Sequence, residues 1–253
     1  MLIDRAELIV EGSAGPVSFE TEGGASWKVW DRYLAIDGKT AFHIGNICGT
    51  CAFFFQRLEG ANRSIDAPQV AAELNAGLTR LAPGVVDAWT LVVPNGTYRV
   101  LLQQVTPTLV KPGTPEDYFT KEAVELWGLD PFLGRPHHPQ TEYYRLTSRP
   151  LPAERSLYEF LIPMFPRRGL KAERVAEYSD ARAGTRAPTA VALSVLDTKE
   201  PHWCLAHYLL DGHHKVFAAS QTGRPLTLLS FLAMDHGTSS GEEVAELLEI
   251  LAT

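Results

Sequence analysis

The sequence predicts an α+β fold, with a β-rich part over residues 1–150 and a mixed α/β part over 151–253. Two observations set that class. In the first part, the hairpin-favouring pairs Asp37-Gly38 and Asn95-Gly96 stand between apolar runs. In the second, strand-like and helix-like segments alternate, punctuated by proline and glycine. A proline-rich middle places a soft boundary near residue 150, across which the two parts can still pack as one domain.

In the first part, Val29–Leu34 and Thr40–Ile44 read as strands flanking Asp37-Gly38. Cys51–Leu58 reads as a short helix. Ala67–Leu81 reads as an amphipathic helix, with Pro68 in its first turn and Val70, Leu74, Leu78 and Leu81 on one stripe. Ala88–Val93 and Thr97–Val105 read as a hairpin turning at Asn95-Gly96, with Pro94 restricting the pairing. A helix is expected over 115–127, and the His137-His138 pair falls in a proline-bounded loop.

Strands are expected at Leu157–Ile162, Thr189–Leu196, Trp203–Leu210 and Leu226–Leu232. Helices are expected at Lys171–Ala183 (stopped by Gly184), His213–Thr222 (stopped by Gly223) and Gly241–Leu251. The last helix has Val244, Leu247, Leu248 and Leu251 on one face, and Ser240 with Glu243 forms a capping box.

The chain has 253 residues, 45% of them apolar, and a formal net charge of −7. That charge disfavours non-specific nucleic-acid binding. No run approaches the roughly 20 apolar residues that span a bilayer. The opening residues lack a signal-peptide apolar block, and three cysteines do not make a secreted disulfide framework. A cytoplasmic location is the expectation.

The chemistry concentrates at Asp211-Gly212-His213-His214-Lys215, where a strand runs directly into a helix. A helix start presents unpaired N–H groups and a positive dipole end, and a preceding glycine lets a ligand approach the backbone. That combination suits phosphate. Lys215 adds fixed charge, and His213 and His214 can donate hydrogen bonds. Asp211 would be repelled by a phosphate unless it binds a metal ion or acts as a general base. Asp211 and His213 are the candidate catalytic residues, and Gly212, His213, His214 and Lys215 the candidate phosphate ligands.

The segment Ile162-Pro163-Met164-Phe165-Pro166-Arg167-Arg168-Gly169-Leu170, the following helix, Pro188-Thr189-Ala190-Val191, the Asp-Gly-His-His-Lys turn, Ala218-Ala219 and the strand from Leu226 occur in one order. That order resembles the ParB/sulfiredoxin-like superfamily over about residues 160–232. The resemblance implies a nucleotide such as ATP, held with Mg²⁺ and its phosphates at this turn. It implies that His214 and Lys215 contact phosphate, with Arg168 reaching the same site. A kinase or NTPase acting on an unidentified small molecule or protein is the activity it favours. Sulfiredoxins carry a reactive cysteine where this chain has His213, so sulfinic-acid repair is not expected. Partitioning proteins carry a helix-turn-helix domain after this core. Only residues 233–253 follow here, so that function is not expected either.

Cys48-Gly49-Thr50-Cys51 is the other candidate. It could serve as half of a zinc site that orders a non-catalytic binding protein, as a dithiol redox pair, or as two packed thiols. His207 lies on the opposite strand face from Cys204 and Tyr208, and reads as a satisfied core histidine.

Overall fold

The computed structural model describes residues 1–21, 32–45, 53–63, 65, 69–128, 141–180 and 186–253. It is an α+β protein built on two sheets. The strands are β1 (Leu2–Val10), β2 (Val17–Thr21), β3 (Arg32–Ile36), β4 (Lys39–Gly45), β5 (Phe54–Arg57), β6 (Gly96–Val105), β7 (Thr108–Val110), β8 (Tyr143–Pro150), β9 (Ser156–Pro163), β10 (Thr189–Lys199), β11 (His202–Asp211) and β12 (Leu226–Ala233). The helices are α1 (Ala71–Ala76), α2 (Pro83–Thr90), α3 (Tyr118–Trp127), α4 (Ala172–Ser179), α5 (His213–Thr222) and α6 (Gly241–Ala252). Among the described residues, no helix is long and apolar enough to cross a membrane.

The main sheet runs β1-β6-β12-β10-β11-β9-β8-β7, and the smaller one β2-β3-β4-β5. β10 with β12 and β11 with β9 are parallel; the other neighbours in the main sheet are antiparallel. Residue 150 falls at the β8–β9 hairpin, and strands from both sides of it share this sheet.

Alternation along each strand sends side chains to two different layers. On one face Val191, Leu193, Cys204, Ala206 and Tyr208 pack against the small sheet. Phe42 meets Tyr208 with ring centroids 5.0 Å apart, and Phe53 stacks on Phe160 at 6.3 Å. On the other face α6 covers Leu101, Leu196, Leu205 and Leu232 with Val244, Leu247, Leu248 and Leu251. Each such leucine contributes about 1.5–3 kcal/mol by leaving water. Beside it, α5 covers Ala190, Ala192, Leu209 and Leu228 with Val216 and Ala219.

The main sheet is strongly curled. Gln103 on β6 donates to Glu159 on β9 at 3.1 Å, with three strands between them in the sheet. A flat sheet would hold those backbones roughly 19 Å apart at its ordinary strand spacing, further than two such side chains reach. The curl gathers a closed polar cluster under the helices. Ser194 Oγ lies 2.7 Å from His207 Nδ1, and His207 Nε2 lies 3.1 Å from Glu159 Oε1.

Several sequence expectations need correction. Phe54–Arg57 is a strand, not part of a helix over 51–58; Phe55 is buried and Gln56 exposed, the period of a strand, and pairing with β4 decides the conformation. Residues 51–52 lie outside the described residues. Of the helix expected over 67–81, the described residues hold Ala71–Ala76, and Ala67 and Pro68 lie outside them. Gly77 takes φ +81°, Thr189 Oγ1 accepts from the Leu78 amide, and Asp4 Oδ2 accepts from that of Leu81. Those tertiary acceptors pull the chain out of its helical path. Residues 88–93 form no strand. Pro83 opens a helix through Thr90, and Val85 and Trp89 bury one face of it at i, i+4 spacing. β6 therefore pairs with β1 and β12 rather than closing a hairpin at Asn95-Gly96. The hairpin at Asp37-Gly38 is present, as β3 and β4. After residue 156 each expected strand and helix is present; α4 is shorter than the helix expected over 171–183, whose last residues lie outside the described ones.

Candidate functional site

β11 turns into α5 through Gly212, at φ +94° and ψ 20°. A Cβ there would lie 2.8 Å from Ala190 Cβ and 2.9 Å from Ala190 Cα, so the turn is as tight as glycine allows. The first intrahelical bond runs from the Val216 amide to the Gly212 carbonyl. Ahead of it, the amides of His213, His214 and Lys215 have no acceptor among the described residues.

These residues wall a cleft of about 410 Å³. Lys171, Arg174 and Tyr178 border it from α4 and the residue preceding it, and Ile65, Ala71 and Asn75 also line it. Three cations, Lys171, Arg174 and Lys215, and one carboxylate, Asp211, line it. The cleft is thus locally positive in a chain of net charge −7. Tyr178 Oη donates to Asn75 Oδ1 at 3.0 Å, joining two residues of the lining.

Each side chain of the turn has a defined environment. Lys215 is buried; its Nζ donates to the Thr189 carbonyl at 2.9 Å and stands 3.8 Å from Asp211 Oδ2. Burial lowers its pKa, and Asp211 opposes that shift. His214 Nε2 accepts from the Lys171 amide at 3.0 Å. Partial burial, then Arg174 and Lys171, lower its pKa, so the ring is neutral at pH 7 and Nδ1 carries the proton.

His213 requires a revised role. It is 8% exposed, and its Nε2 accepts from the Met164 amide at 3.1 Å. Burial, reinforced by His214 and Arg57, lowers its pKa to about 3. The ring is neutral, and its one acceptor nitrogen is already occupied, so it cannot take up a substrate proton while that bond lasts. Together the two histidines fasten residues 164 and 171 to the first turn of α5. Arg168 is also displaced from its expected place. It does not line the cleft, and its charge instead lowers the pKa of Arg57, after burial. Lys171 and Arg174 supply the charge expected of it. Their signal was available in the sequence, as Lys171, Arg174 and Tyr178 at i, i+3 and i+7.

The low His213 pKa has a consequence for acid stability. The unfolded chain binds a proton near pH 6.5 that the folded chain refuses until about pH 3. Stability from this group is complete above pH 6.5 and declines on acidification by up to about 1.4 kcal/mol per pH unit. A His213→Gln variant, which keeps an acceptor for the Met164 amide, should show a shallower fall than the parent over that window in urea unfolding. Parallel curves would refute the assignment.

The other candidates fall elsewhere. Cys48 and Cys51 lie outside the described residues, as do His137 and His138. Cys204 is buried, with Sγ 3.7 Å from Tyr118 Oη. Among the described residues no group of three or more His, Cys, Asp or Glu side chains could hold a metal ion. His207 is fully buried and bonded at both ring nitrogens. Its Ser194-His207-Glu159 connectivity has the composition of a hydrolytic triad, but it does not line the α5 cleft and all three side chains are closed to solvent. It serves as an internal clamp of the curled sheet. Compared with protein families, curated proteins and solved structures, the chain matches none.

Proposed function

We propose that this chain binds a nucleotide, with its phosphates on the first turn of α5, as a ParB/sulfiredoxin-like module over about residues 160–232 would. The observation that carries the reading is the set of three unpaired amides, at His213, His214 and Lys215, opening on a cleft rimmed by Lys171, Arg174 and Lys215. Unpaired helix-start amides and neighbouring cations together make an anion site. Ile65, Ala71, Leu170 and the Tyr178 ring offer apolar area for a base or sugar.

Phosphoryl transfer or hydrolysis is the activity this reading favours. Asp211 stands on the same wall and is one-third exposed. Lys215 Nζ, 3.8 Å away, is a cation already beside it, and in this reading its exposed carboxylate serves as a Mg²⁺ ligand or a general base. His213 acts as a positioning residue in this scheme, and His214 offers its Nδ1–H.

Calorimetric and thermal-shift titration with ATP, ADP, CTP and GTP, with and without magnesium, tests the proposal. A true ligand raises the melting temperature by mass action. Lys171→Ala and Arg174→Ala should each weaken binding about tenfold, the scale of one charge-assisted contact. Asp211→Asn should stop turnover while leaving binding measurable. If no nucleotide shifts the melting temperature, the reading is wrong.

A further inference from the structure

β1 is the outermost strand of the main sheet, and no described strand pairs with its outer edge. Met1 and Gln104 exchange both backbone bonds, so the backbone of Gln104 faces β1. Thr97, an odd position on β6, faces the other way and accepts from Met234. Alternation then fixes the rest. After the bulge between Leu2 and Asp4, the register Asp4↔Leu102, Ala6↔Val100 and Leu8↔Tyr98 turns those β1 backbones toward β6. The N–H and C=O groups of Arg5, Glu7 and Ile9 therefore point out from the sheet edge.

The side chains at these positions are also open. Ile9 is 68% exposed, and Ile3, at the bulge beyond them, is 37% exposed. The side chains of Arg5 and Glu7 are 49% and 77% exposed, and their ion pairs with Glu249 and Arg99 are surface contacts. Such an edge is a template for another strand.

A second copy of β1 is the complementary occupant. Antiparallel pairing of outward residues with outward residues leaves three central registers. One sets Arg5 against Arg5, another Glu7 against Glu7, and both oppose like charges. The third places a two-fold axis at Ala6. It sets Arg5 against the partner's Glu7, twice, and carries each exposed Ile9 to the bulged end of the partner's β1, beside Ile3. We propose that the chain forms a symmetric homodimer through this Ala6-centred β1–β1 pairing, which extends the main sheets of the two copies into one. Asp4 Oδ1, which accepts from the Arg5 amide at 2.8 Å, gives up that bond on pairing, while Asp4 Oδ2 keeps the Leu81 amide.

Sedimentation velocity and light scattering on the full chain test this. The expected mass is twice the 27.9 kDa of one chain. Arg5→Glu and Ile9→Lys should each weaken the dimer about tenfold or more. The double swap Arg5→Glu with Glu7→Arg should restore it, because opposite charges again face each other. Far-UV circular-dichroism spectra should stay unchanged throughout, since the altered side chains are exposed, and the melting temperature should fall only as far as loss of the dimer lowers it. A monomer at every concentration, a dimer indifferent to both single variants, or a double swap that remains monomeric overturns the proposal.

Discussion

Replacing Gly212 with alanine is expected to lower folding stability by about 2–5 kcal/mol and to abolish ligand binding at the α5 turn. The cost has two parts. The residue holds φ +94°, a region where an L side chain adds about 1–2 kcal/mol. The new Cβ would also sit 2.8 Å from Ala190 Cβ and 2.9 Å from Ala190 Cα, and overpacking of that kind costs about 1–3 kcal/mol. Relief requires α5 to move away from β10, which would drag the His213, His214 and Lys215 amides with it. The bond from Lys215 Nζ to the Thr189 carbonyl spans the same junction and would stretch. Urea unfolding should show a lower midpoint with an unchanged slope. Adding Ala190→Gly removes the crowding methyl group but leaves the residue 190 backbone in place and the strain at position 212 unrelieved, so it should recover only part of the loss. Full recovery would assign the whole effect to the Ala190 methyl group, and an unchanged midpoint in Gly212→Ala would remove the tight-turn argument.

How much of this was legible in the sequence differs between the two halves for a physical reason. After residue 156, local signals and tertiary structure agree. Gly212 and Gly223 bracket α5, and Ser240 with Glu243 caps α6 through both reciprocal bonds. Before it, long-range partners decide. The 53–55 phenylalanines carry no helical or strand period of their own, and β4 and the rings of Phe119, Tyr143 and Phe160 settle the matter. The stripe from Val70 to Leu81 does face the core, yet its helix stops at Ala76 because Thr189 and Asp4 capture the amides beyond. The site was legible as a turn but not as a cleft. Lys171 and Arg174 reach it only because α4 packs beside α5, and the low pKa of His213 comes from its burial, reinforced by His214 and Arg57, which no local pattern announces.

The buried ion pair between the two sheets carries the other large effect. Asp197 on β10 is 1% exposed. It accepts from Arg32 Nη1 at 3.0 Å, from Arg32 Nη2 at 2.6 Å and from the Thr238 amide at 3.0 Å. Arg32 comes from β3 in the small sheet and also donates to the His236 carbonyl at 2.6 Å. Burial works against the guanidinium charge, but Asp197 more than offsets it and holds the Arg32 pKa above its ordinary value. Asp197→Ala would strip a buried cation of its carboxylate, and a loss of about 3–5 kcal/mol is expected. Asp197→Leu combined with Arg32→Met should be far less damaging, because no buried charge is left uncompensated. High salt should change little, since ions do not reach a sealed pair. A single-variant loss below about 1 kcal/mol would place the pair among ordinary surface contacts. The clamp also separates fold from site. Asp197 lies seven residues along β10 from Ala190, roughly 23 Å at ordinary strand rise. Changes at Asp197 and Gly212 should therefore add to within about 0.5 kcal/mol. Below its melting temperature, Asp197→Ala should bind nucleotide like the parent, while Gly212→Ala should not.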